Sequence, residues 1–155
     1  MDHYYFMSQA IKEAKKALAM AEVPVGAVVV QGETIIGRGH NRKETDNSPI
    51  AHGEILALTQ AAAALNNWRL DSCTLYVTLE PCPMCCGAIL QSRIKEVVFG
   101  AWDLKWGGAG TKIDVLQPGL FNHTVEVTGG IREKECGELL TNFFRRQGEK
   151  NSGSQ

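Results

Sequence analysis

The chain has 155 residues with 16 Lys+Arg against 17 Asp+Glu, 44% apolar and 21% charged residues, and five cysteines. That length supports one domain that buries a core without disulfide staples, and a net charge of −1 excludes the electrostatic footprint of a general nucleic-acid binder while leaving room for a local basic patch. The longest apolar run, Val23 to Val30, is interrupted by Pro24 and Gly26 and falls far short of the ~20 residues of a membrane span. Acidic and basic residues interleave at the N-terminus with no signal-peptide pattern, so an intracellular, reducing address is expected. Five cysteines there point to metal or catalysis before disulfides.

In chain order, Met7, Ala10, Ile11, Ala14, Ala17 and Leu18 follow the three-and-four spacing of one helix face and predict a helix over 7–17. Val25 to Val30 and Thr34 to Ile36, broken at Gln31-Gly32, read as an antiparallel hairpin. Arg42 to Pro49 is a polar loop, and Ile55, Leu58, Ala62 and Leu65 place a second helix from Ser48 or His52 to Leu65. Leu75, Val77 and Leu79 alternate with Thr74, Tyr76 and Thr78, a strand with its apolar side chains on one face. Pro81 opens a third helix through Arg93, and Glu96 to Gly100 forms the next strand. Gly107, Gly108 and Gly110 mark an irregular loop, Val125 and Val127 a short strand, and Cys136 to Phe144 a closing amphipathic helix. Strand alternating with helix implies an α/β sandwich with later strands parallel and a sheet made mixed by the hairpin. The expected domain covers 1–147, with a disordered tail over 148–155.

Two groups carry chemistry: His52-Gly53-Glu54 at the second helix start and Pro81-Cys82-Pro83-Met84-Cys85 at the third. One imidazole and two thiolates supply three tetrahedral positions and leave one open, the layout of a catalytic zinc site. Cys82 and Cys85 in a helix's first turn are favoured as thiolates by the dipole and free N–H groups. Glu54, two residues from a ligand, can act as base and then as acid. An ideal helix turns residues two apart by about 200°, so His52 and Glu54 face one ion only where the helix is just starting, and Gly53 eases such irregular backbone. C-x-x-C alone reads equally as a thiol redox motif, and H-x-E alone says little; the pair, each before a helix, favours metal. Cys73 and Cys136 read as inert core thiols. Helix angles alone leave Cys86 as an alternative partner for Cys82.

H-x-E followed by P-C-x-x-C is a zinc deaminase signature. With Glu22 to Val28, Gly39-His-Asn41, Thr78 to Cys85, Ser92-Arg93, Val97 to Ala101 with Asp103 and Lys105, Phe121-Asn-His123, and Glu135-Cys136 with Phe143-Phe144-Arg145, the chain resembles the bacterial tRNA-specific adenosine deaminases over residues 4 to 147. The resemblance implies a three-layer, cytidine deaminase-like α/β sandwich and hydrolytic deamination of the wobble adenosine of a tRNA anticodon stem-loop to inosine, by a cytoplasmic homodimer. It implies that His52, Cys82 and Cys85 bind one zinc per chain, Glu54 shuttles the proton, Asn41 holds the base and Asp103 contacts a ribose. It also sets Cys86 aside, because the family has a small apolar residue there. The plainer readings are a loop-capping amide for Asn41 and a turn cap for Asp103. Arg145-Arg146 reads equally as a phosphate contact and as a solvated helix end. Gly53 replaces the family's usual Ala, and His-Gly-Glu resembles free-base deaminases such as fungal cytosine deaminase. Trp102, Leu104 and Trp106 also depart from the family around the RNA-bordering loop. A free nucleobase deaminase acting on guanine or cytosine is therefore the alternative, and a zinc-binding RNA module without turnover is the non-enzymatic one, which has no use for Glu54. Gly53→Ala is expected to be tolerated and to firm the helix start.

Overall fold

The computed structural model describes residues 2–151, with side chains through 148. The order is α1 (His3–Ala19), β1 (Gly26–Gln31), β2 (Thr34–His40), α2 (Gly53–Leu65), β3 (Cys73–Leu79), α3 (Pro83–Gln91), β4 (Glu96–Ala101), β5 (Glu126–Thr128) and α4 (Glu133–Asn151). One mixed sheet runs β2-β1-β3-β4-β5. β1 is antiparallel to both β2 and β3, whereas β3, β4 and β5 are mutually parallel neighbours. β2 is therefore also parallel to β3, and β2, β3 and β4 all deliver their C-terminal ends to one edge. In open α/β sheets that edge is where sites form.

Each expected element is present, with shifted bounds that have physical causes. α1 starts at His3 because Asp2 Oδ1 accepts the Tyr5 N–H at 2.9 Å, a cap that apolar periodicity cannot register. The hairpin turns through Gly32-Glu33, with Gln31 paired to Thr34 and Gly32 at φ +64°, a left-handed value that suits glycine. β3 places Leu75, Val77 and Leu79 on one face as its alternation predicts, and its other face is buried as well, Thr74 and Thr78 included. α3 begins at Pro83, not Pro81: a residue before proline is pushed out of the helical region, so Cys82 is extended (φ −73°, ψ 170°) and is the N-cap. α4 continues through Gly148 to Asn151, where composition suggested that a tail begins at 148; residues 152–155 lie outside the described residues.

Glycines assign the layers. A Cβ on Gly26 would lie 2.2 Å from Ala10 O of α1, whereas Cβ atoms on Gly37 and Gly39 would meet Ala57 O and Gly53 O of α2 at 2.3 and 2.4 Å. Gly39 pairs with Ala27, one residue along from Gly26, so α1 and α2 cover opposite faces. Gly100 lies on the α1 side by register and meets Cys136 of α4, and α3 packs beside α2. The result is a three-layer α/β/α sandwich. Its core holds Met7, Val28, Leu75, Tyr76, Ile89 and Phe99, each fully buried. No helix among the described residues is long and apolar enough to cross a membrane.

Replacing Gly37 by Ala should cost about 1–3 kcal/mol by overpacking backbone against backbone. Gly87→Ala on α3, where a Cβ meets nothing within 4 Å, should instead gain about 0.5–1 kcal/mol. Urea denaturation of the two variants checks the contrast.

Candidate metal centre

His52, the N-cap of α2, is extended (φ −83°, ψ 149°) and makes no side-chain cap bond, so its imidazole points out of the helix toward α3. Its Nδ1 lies 3.7 Å from Cys82 Sγ and 3.5 Å from Cys85 Sγ. Tetrahedral zinc bonds of ~2.1 Å to nitrogen and ~2.3 Å to sulfur place ligand atoms roughly 3.5 Å apart, so the spacing fits. Among the described residues this is the one cluster of three metal-type donors. Cys86 is outside it: its thiol is fully buried and directed at Pro81 O, 3.7 Å away. Because Cys82 precedes the helix and Cys85 lies within it, the helical angles that left Cys86 in contention do not apply.

Electrostatics divides the two sulfurs. The Cys85 thiol donates to Cys82, and with the imidazole beside it this holds Cys82 down at about 4. Cys85, as the donor, is pushed far up. The hydrogen bond to Cys82 in turn raises His52. Burial lifts the Cys86 thiol beyond any physiological ionisation.

Glu54, in the first turn of α2, is 3% exposed and is lifted by burial to about 7. Its Oε1 has no hydrogen-bond partner, alone among buried side-chain polar atoms of the described residues. An orphaned buried carboxylate oxygen costs about 1–3 kcal/mol or more, and a ligand supplied to the site removes that cost. His52 is outside the helix and Glu54 inside it, which resolves the 200° conflict; Gly53 has no left-handed φ, so it supplies no irregular backbone. A Cβ there would instead sit 3.1–3.3 Å from His40 Cα, Gly39 O and Val25 O. The expected gain from Gly53→Ala is thus opposed by tight backbone contact.

Asn41 and Asp103 follow β2 and β4 to the same edge, and each already has a structural task. Asn41 Oδ1 accepts the Gly53 N–H at 2.7 Å, capping α2 in place of His52. Asp103 Oδ1 accepts from Lys105 N and Trp106 N, both at 3.0 Å, and caps its own turn. Sequence reasoning missed Glu80, a carboxylate 1% exposed that binds the loop following β4. Its signal was an acidic residue directly after an apolar strand and before Pro81.

A sequence model of the MafB19-like deaminase family matches residues 1–147. The tRNA-specific adenosine deaminase of Bacillus subtilis (strain 168) is 51% identical over 150 residues, 97% of this chain and 93% of that one. The enzyme of the same name from Haemophilus influenzae (strain Rd) is 48% identical over 145 residues, covering 93% and 84%. Among solved structures, one from a study of A-to-I editing by tRNA:A34 deaminases at the wobble position aligns with TM-score 0.83 at 40% identity, covering 88% of this chain and 99% of that one. A guanine deaminase from Nitrosomonas europaea aligns at 0.79 with 26% identity, covering 90% and 83%. With near-complete coverage, this identity and a donor cluster at the sheet edge, the chain belongs to the tRNA-specific adenosine deaminase family.

Proposed function

We propose that this deaminase converts the wobble adenosine of a tRNA anticodon stem-loop to inosine, with one zinc held by His52, Cys82 and Cys85. The observation that carries the reading is Glu54, a buried carboxylate with an unpartnered oxygen beside a His-Cys-Cys donor set. Bound zinc supplies the Lewis acidity that makes water a nucleophile near neutral pH. Glu54, lifted to about 7, is suited to take a proton from the attacking water and return it to the departing amine. The C6–N bond breaks, the water oxygen becomes the inosine carbonyl and ammonia leaves. Asn41 Nδ2 donates to the purine edge, its carbonyl side being engaged by Gly53. Asp103 accepts from a ribose hydroxyl through Oδ2, its Oδ1 being engaged by Lys105 N and Trp106 N.

The same reading puts the enzyme in the cytoplasm as a homodimer. Support for association is the groove between α2 and α3, lined by Ile55, Leu58, Ala62, Ala88 and Trp68, the last more than half exposed. Guanine deaminase neighbours at lower identity keep the free-base reading as the alternative. The discriminating assay measures inosine in an anticodon stem-loop beside ammonia from free guanine and cytosine. We expect turnover of the RNA alone, with KM rising as salt is added because phosphate contacts release counterions; turnover of the bases alone would move the assignment.

Glu54→Ala should retain one zinc per chain and lose about 10²–10⁴-fold in kcat, the usual worth of a positioned proton carrier. Metal analysis beside single-turnover rates checks it, and loss of zinc would make Glu54 structural instead. After chelation of the metal, iodoacetamide should alkylate Cys82 ahead of the other cysteines, since it alone is both part-exposed and ionised at neutral pH. The rate should be flat between pH 6 and 8, roughly two to four units above that ionisation, and added zinc should protect. Peptide mapping reads the site.

A further inference from the structure

We infer that Glu80 is the positioning residue for the substrate wall formed by residues 103–111, and this rests on the RNA substrate proposed above. The Glu80 carboxylate is fully buried, yet its partners come from that one loop. Oε1 accepts from Asp103 N at 3.1 Å and from the Thr111 hydroxyl, and Oε2 accepts from Ala109 N at 3.0 Å and Thr111 N at 3.1 Å. Three backbone N–H groups converge on its two oxygens, one on Oε1 and two on Oε2, so an amide in its place turns its own N–H groups toward at least one of them.

The loop is also packed closely against its surroundings. A Cβ on Gly107 would fall 2.6 Å from Glu80 Oε1, and one on Gly108 would fall 2.9 Å from Pro83 N and 3.0 Å from the Cys82 carbonyl carbon. Gly108 N donates to Pro81 O at 2.8 Å. The loop is thereby laid directly on the turn that carries Cys82, with Asp103 at its start. Two large apolar side chains face outward from it, Leu104 at 80% and Trp106 at 64% exposure, on either side of the exposed Lys105. Trp102, just ahead of the loop and also exposed, packs edge-on against Phe99. Ordering entropy for such a loop is spent in folding and not in binding, which strengthens binding of whatever rests against it. Glu80 does not touch the reacting atoms; it acts through the backbone it fixes.

Four variants test this, measured on the zinc-loaded full chain with an anticodon stem-loop. Glu80→Gln and Thr111→Val should raise KM about tenfold, as for a lost hydrogen bond to a charged group, with kcat within about twofold and zinc content unchanged. Amide exchange at Asp103, Ala109 and Thr111 should quicken in both. Thr111→Ser keeps the hydroxyl and should keep the wild-type KM. Gly107→Ala, which displaces the loop with Glu80 intact, should reproduce the KM effect, and combining it with Glu80→Gln should add little. If Glu80→Gln does not fold, Thr111→Val carries the test. Unchanged KM and exchange in Thr111→Val, or lower melting temperatures with KM constant throughout, would overturn the inference. A wild type inert on the stem-loop would overturn the proposed function itself, a result read before any variant is compared.

Discussion

Contact of backbone with backbone between β2 and α2 is the constraint on which the site depends. At Gly37 and Gly39 the helix approaches until no side chain fits between, with virtual Cβ positions 2.3 and 2.4 Å from helix carbonyls. Larger residues would lift α2 away and carry His52 and Glu54 with it. The Asn41 amide completes the junction by capping Gly53, so the strand end and helix start move as one body. A donor set that must converge to within a few tenths of an ångström is thus referred to rigid elements and not to a loop.

Burial then sets the chemistry. Glu54 lies where a carboxylate is costly to charge, and burial, not a neighbouring anion, is the main cause of its raised ionisation. The same interior has opposite effects on two cysteines three residues apart. Cys82 is the part-exposed cap that receives a hydrogen bond, and Cys85 is the buried helix residue that gives it. Marginal stability spent on an unsatisfied oxygen is recovered when a ligand arrives, a common arrangement at functional sites.

Two polar residues at the sheet edge illustrate that scaffold and site are not separate. Asn41 and Asp103 each use one oxygen to hold local backbone, so the plainer capping readings are part of the description and leave one further polar atom on each side chain. Glu80 does the same at larger scale, tying the end of β3 to the loop after β4.

The amino-acid sequence by itself determined the alternation of strand and helix, the hairpin at Gly32 and the two motifs, because apolar periodicity and turn chemistry are local. It also marked His52, Glu54, Cys82 and Cys85, since ligand type and spacing are written in the chain. Boundaries that depend on one hydrogen bond or one proline escaped it: the Asp2 cap of α1, and Pro83, which turns Cys82 from a helical residue into a cap. Tertiary structure alone decided that β3 is buried on both faces, that Cys86 points away from the cluster and that Glu80 holds the loop after β4. Each of these rests on contacts between segments distant in sequence, and such contacts exist only once the parallel strands have brought their ends to one edge.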